Sequence, residues 1–121
     1  VDGDNPSTDF YEFIELKSST PNLSLDGYVL VFYNAGSSAP YSGISSYYTF
    51  DLDGYVTDIN GIVHVGNTQV SPAPAGNIPN NTIQNGPDVV ALYLGSDTDF
   101  PFFTAATNVN LIDAVAYTNN A

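Results

Sequence analysis

Cysteine is absent from the 121 residues, so neither a disulfide framework nor a thiolate metal site can exist, and the redox compartment leaves no mark on the chain. Basic side chains are nearly absent as well. Lys17 is the only one, set against thirteen acids, and the formal charge is −12. The resulting field repels phosphate and anionic headgroups, which argues against nucleic acid as a partner. No apolar run approaches the roughly 20 residues that cross a bilayer, so membrane insertion is not expected. Val1-Asp2-Gly3-Asp4 has neither the basic start nor the apolar stretch of a signal segment; on an exported chain the signal would already be gone. Tryptophan is missing and good helix formers are scarce.

What is present favours pleated structure. Nine Tyr and seven Phe accompany frequent Val, Ile and Thr, residues that suit half-buried sheet surfaces. Charged residues make up only 12%, and Asn, Ser, Thr and Gly supply most of the polarity, a surface of the extracellular type. The length suits a single domain over 1–121, with one core and no covalent staples.

Six strands are expected. The run from Phe10 to Leu16 carries Glu12, Ile14 and Leu16 on one face. Tyr28 to Tyr33 is apolar on both faces, as befits a central strand covered by a second sheet on one side and by loops on the other. Tyr47 to Leu52 follows a Gly/Ser/Ala-rich loop and ends in Asp53-Gly54 turn chemistry. Gly61 to Gly66, Asp88 to Gly95 and Leu111 to Tyr117 complete the set. Between Asn67 and Pro87, four prolines predict an extended, turn-rich segment that Ile78 and Ile83 pin to the core. Six strands without a helix predict an all-β sandwich. Its expected core is Ile14, Leu16, Leu30, Phe32, Phe50, Leu52, Val63, Val65, Val90, Leu92, Val115 and Tyr117.

Glu12-Phe13-Ile14-Glu15-Leu16, Leu25-Asp26-Gly27-Tyr28-Val29-Leu30, Asn85 to Tyr93 and Leu111-Ile112-Asp113-Ala114-Val115-Ala116-Tyr117 together resemble the lamin-tail domain family, in its bacterial extracellular branch. The resemblance spans Asp9 to Tyr117. It implies an immunoglobulin-like β-sandwich without an active site, of the kind attached to secreted nucleases or phosphatases or repeated in surface proteins. The family opens with an apolar strand ending in Asn-Glu. Here the chain begins at Val1, so that strand is expected to be short, missing or supplied from outside these residues.

Candidate chemistry is sparse. His64 is the only histidine, lies among valines, and has no Gly-x-Ser-x-Gly elbow to serve, so a packed or surface strand role is expected. Glu12 and Glu15 stand three apart and point to opposite faces, which excludes a facing carboxylate pair. Glu12 is expected at the rim of the core, bonded to loop amides, and Glu15 beside solvent or Lys17. Asp2, Asp4, Asn5 and Asp9 place hard oxygen ligands along one loop and form the candidate Ca²⁺ site, although the spacing is not that of an EF-hand. No cofactor is required by any of these readings. Asp97 and Asp99 mark a second acidic spot, read as turn caps. Phe100, Phe102 and Phe103 with Tyr41, Tyr47 and Tyr48 are candidates for a carbohydrate-stacking platform.

The expected function is that of a non-catalytic extracellular or cell-surface structural or adhesive module, a subunit or repeat of a larger surface assembly with protein partners or self-association. An accessory or targeting domain of a secreted hydrolase and a carbohydrate-binding module are the alternatives.

Overall fold

The computed structural model describes residues 8–36 and 43–118. Its described part is an all-β sandwich of seven strands: β1 (Phe13–Lys17), β2 (Tyr28–Asn34), β3 (Ser45–Asp51), β4 (Ile62–Gly66), β5 (Gly76–Asn77), β6 (Asp88–Leu94) and β7 (Leu111–Tyr117). One sheet has the order β1-β4-β5 and the other β3-β2-β6-β7. The six expected strands are all present, with ends shifted by a few residues. The seventh, β5, is two residues long and pairs parallel to β4, too short to leave a periodic signal in a proline-rich segment.

The chain forms two compact units, one of residues 1–26 and 54–84, the other of residues 27–53 and 85–121. In the first, β1 and β4 pair antiparallel with Ile14 opposite Val65 and Leu16 opposite Val63. Such directly opposed apolar pairs are what stabilise a sheet face. Ile14, Val63, Val65, Leu25, Ile78 and Ile83 are buried, so the two isoleucines of the irregular segment do act as pins. Gly66 permits the tight start of this pairing: a Cβ there would lie 2.7 Å from the Glu12 carbonyl oxygen and 2.9 Å from the Phe13 Cβ.

In the second unit β2 runs between β3 and β6 and is buried from Val29 to Tyr33. Its Val29, Val31 and Tyr33 cluster with Ala91, Tyr93 and Phe100, so one face of the central strand is covered from within the unit by a ring from the loop after β6. Leu30 and Phe32, on the opposite face, are also fully buried. The loop itself opens with a 3-10 turn, Asp97–Asp99, in which the Ser96 hydroxyl accepts from the Thr98 amide and Asp99 accepts from the Ser96 amide. Asp99 therefore caps the turn as expected, together with Ser96, whereas the Asp97 carboxylate accepts from the Ser96 hydroxyl at 3.2 Å.

The expected core needs correction at its end. Leu16, Phe50, Leu92 and Tyr117 are only partly buried, and Val115 is 44% exposed. β7 forms the outer edge of its sheet, and neither of its faces is closed over. Conversely, Val29, Val31, Tyr33, Ala91 and Tyr93 carry the best-buried face of the second unit, which alternation assigned to loop cover rather than to the core.

Candidate functional site

The most completely buried charged group is Glu12, with 0% of its surface exposed, immediately before β1. Its carboxylate accepts hydrogen bonds from the Thr82 amide (3.0 Å), the Ile83 amide (2.9 Å) and the Asn67 side-chain amide (3.2 Å). Asn67 completes the arrangement through both its side chain and its backbone. The Glu12 amide donates to Asn67 Oδ1 (2.8 Å), the Asn67 amide donates to the Glu12 carbonyl (2.9 Å), and Asn67 Nδ2 also reaches the carbonyls of Ile78 and Pro79. One acid and one amide thus tie the start of β1, the end of β4 and the loop 78–83 together.

The loop geometry that delivers those amides is set by Asn81. It adopts φ 61°, a conformation asparagine tolerates better than most residues, and its Oδ1 accepts from the Asp9 amide at 2.8 Å. Burial raises the pKa of Glu12 above the ordinary carboxylate value; the bonds from Asn67, Thr82 and Ile83 pull the other way, and the negative charge of Asp9 pushes with the burial. Among the described residues its hydrogen-bond partners are the backbone amides of Thr82 and Ile83 and the side-chain amide of Asn67, all of them donors. Glu12 bonds to loop amides as expected, though in the interior rather than at a rim. Asn67 was not singled out by the sequence, since an asparagine among turn residues carries no signal of its own.

Several of the other expected site residues lie beyond the described residues. Asp2, Asp4 and Asn5 of the candidate calcium loop lie outside them. Asp9 is buried, and one of its carboxylate oxygens accepts from the Tyr11 amide at 3.1 Å. Among the described residues no group of three or more His, Asp or Glu side chains could hold a metal ion. His64 sits opposite Glu15 across the β1–β4 pair, and its Nε2 donates to the Pro72 carbonyl at 2.9 Å. Lys17 donates to the carbonyl of Asn60.

The aromatic candidates divide. Phe100 is buried with its ring centroid 4.6 Å from that of Tyr93, which removes it from any surface platform. Tyr47 and Tyr48 are half-buried beside Phe32, and Tyr41 lies outside the described residues. Phe102 and Phe103 are 67% and 50% exposed and pack edge to face, 4.1 Å between centroids.

A second buried acid escaped the sequence reading. Asp88, the first residue of β6, is 2% exposed; its Oδ1 accepts from the Ala35 amide at 3.4 Å, and its Oδ2 has no hydrogen-bond partner among the described residues. Burial pushes its pKa up to about 6, with the Ala35 bond opposing. No described helix is long and apolar enough to cross a membrane. Comparison with family models, curated proteins and solved structures returned no match to this chain.

Proposed function

We propose that this chain is a non-catalytic structural or adhesive module of the lamin-tail type, acting outside the cell or at its surface through contacts with other proteins. The observation that supports the reading best is the use of Glu12. It belongs to the Glu12-Phe13-Ile14-Glu15-Leu16 block that carries the resemblance, and it is fully engaged in holding the loop 78–83 onto β1. A buried carboxylate bonded by amide donors in this way shapes a scaffold; a general base needs a reacting proton within reach.

The test has two arms. Turnover of phosphomonoester, phosphodiester and glycoside substrates is measured with the full chain and with His64→Ala, and no activity above buffer is expected from either; turnover that disappears in His64→Ala overturns the non-catalytic reading. Antibody against the chain is expected to label intact cells or the medium, and label confined to the cell interior overturns the location.

Carbohydrate binding is a second reading, favoured by the exposure of Phe102 and Phe103. Retention on a polysaccharide column that Phe102→Ala abolishes would support it, and equal retention of both proteins would remove it. Calcium at Asp2, Asp4, Asn5 and Asp9 is proposed on the ligand chemistry of the sequence alone. Melting curves that coincide in millimolar calcium and in chelator would dismiss that site.

A further inference from the structure

The two edges of the four-stranded sheet are treated differently. At the β3 edge the chain covers itself: the Ser46 amide donates to the Thr104 carbonyl, the Phe103 amide to the Ser46 carbonyl and the Ala106 amide to the Ile44 carbonyl. At the β7 edge every residue from Leu111 to Ala116 is exposed, Ile112 by 51% and Val115 by 44%. Proteins normally guard a bare edge with lysine, proline, a bulge or a covering segment. β7 contains neither lysine nor proline, and its one charge is Asp113. A register irregularity opposite Leu92 and Tyr93 disturbs its first residues, after which Asp113 to Tyr117 pair regularly with β6.

We propose that β7 is a strand-addition edge for an extended, basic segment of a partner protein. This rests on the reading of the chain as a protein-binding module and names the partner's chemistry. Charge decides between a foreign strand and a second copy. With thirteen acids and one base, a second copy brings a like field to the edge, whereas a cationic segment is drawn toward it. The regular stretch of five residues spans roughly 17 Å at about 3.3 Å per residue, so a short segment fills it. Ala114 and Ala116 leave room on one face for large side chains of the added strand. On the other, Val115 offers apolar contact, and the Asp113 carboxylate, one oxygen of which accepts from the Ala114 amide at 2.9 Å, is an acid for a lysine or arginine of the partner.

The probe is the blocked peptide Lys-Val-Thr-Val-Lys-Val-Thr-Val-Lys, titrated into the full chain by calorimetry at physiological salt. Two controls accompany it, one with each lysine replaced by glutamate and one with the central lysine replaced by proline. One-to-one binding at least tenfold tighter than either control is expected, with new hydrogen-exchange protection confined to the amides of β7. Val115→Lys places a charge on an already exposed position; it should weaken binding at least tenfold and leave the melting midpoint unchanged. Equal binding of the proline peptide would show attraction by charge alone and overturn the proposal, as would unchanged affinity in Val115→Lys. A dimer of the free chain in light scattering that Val115→Lys dissolves would overturn it in favour of a second copy. None of these results depends on substrate turnover or cell labelling, so failure here leaves the broader reading to its own tests.

Discussion

Asn67 holds Glu12 from both sides of its chain, accepting from the Glu12 amide at 2.8 Å and donating to the Glu12 carboxylate at 3.2 Å. Because each residue satisfies several groups of the other, their contributions to stability should be strongly coupled. Replacing Asn67 by Ala takes a buried partner from the Glu12 amide and the Ile78 carbonyl, while the Pro79 carbonyl keeps the Thr82 hydroxyl, and should cost about 2–4 kcal/mol. Glu12→Ala strands the Thr82 and Ile83 amides with a similar loss. Denaturant unfolding of both single variants and the double variant checks this: the double should cost clearly less than the sum, and strict additivity would deny the network.

Stability should rise as the solution is made mildly acidic. Asp88 has a folded pKa of about 6 against 3.8 when free, so the folded state binds its proton more tightly than the unfolded state does. The stabilising proton is fully in place below about pH 4 and is lost as pH climbs through about 6. Glu12, also raised, acts in the same direction. Asp88→Asn keeps an acceptor for the Ala35 amide and removes the buried charge. It should gain on the order of 1–3 kcal/mol at pH 8 and little at pH 4. Chemical denaturation across this range reads both effects, and a wild-type curve that is flat or rises with pH would contradict them.

Two buried tyrosines give an ordered pair of losses. The Tyr33 hydroxyl donates to that of Tyr93 at 2.9 Å, and the Tyr93 hydroxyl donates to the Thr107 carbonyl at 2.7 Å. Burial, followed by this bond, drives the Tyr33 pKa well up, so the phenol stays protonated. Tyr33→Phe keeps the Tyr93 bond to Thr107 and should cost about 1 kcal/mol. Tyr93→Phe strands both the Tyr33 proton and the Thr107 carbonyl and should cost about 1–3 kcal/mol. Thermal unfolding should rank Tyr93→Phe as the more damaging; the reverse order would mean that the Tyr93 bond to the Thr107 carbonyl contributes nothing.

Leu30 and Val115 share the apolar alternation of their strands but not its consequence. Leu30 is 1% exposed, and truncation to Ala should cost roughly 2–5 kcal/mol. Val115, at 44% exposure, should lose no more than about 0.5 kcal/mol on the same change. Equal costs in parallel melts would put β7 in the core after all.

The alternation and β-branched content of 10–16, 28–33, 47–52, 61–66, 88–95 and 111–117 were enough to locate six strands and the all-β class, because strand formation depends on local pattern. Asp99 was legible as a cap for the same reason, since a turn bonds to itself. Glu12 was half legible: its place on the apolar face of a strand implied backbone partners without naming them. Which amides those are was decided by a loop seventy residues away and by Asn67, fifty-five residues away. The exposure of Val115 and the burial of Asp88 were likewise settled by tertiary structure. Alternation states which side chains share a face, but the order of strands and the segments laid beside them determine whether that face is covered: of the two edge strands, β3 is flanked by residues 103–106 and β7 is exposed.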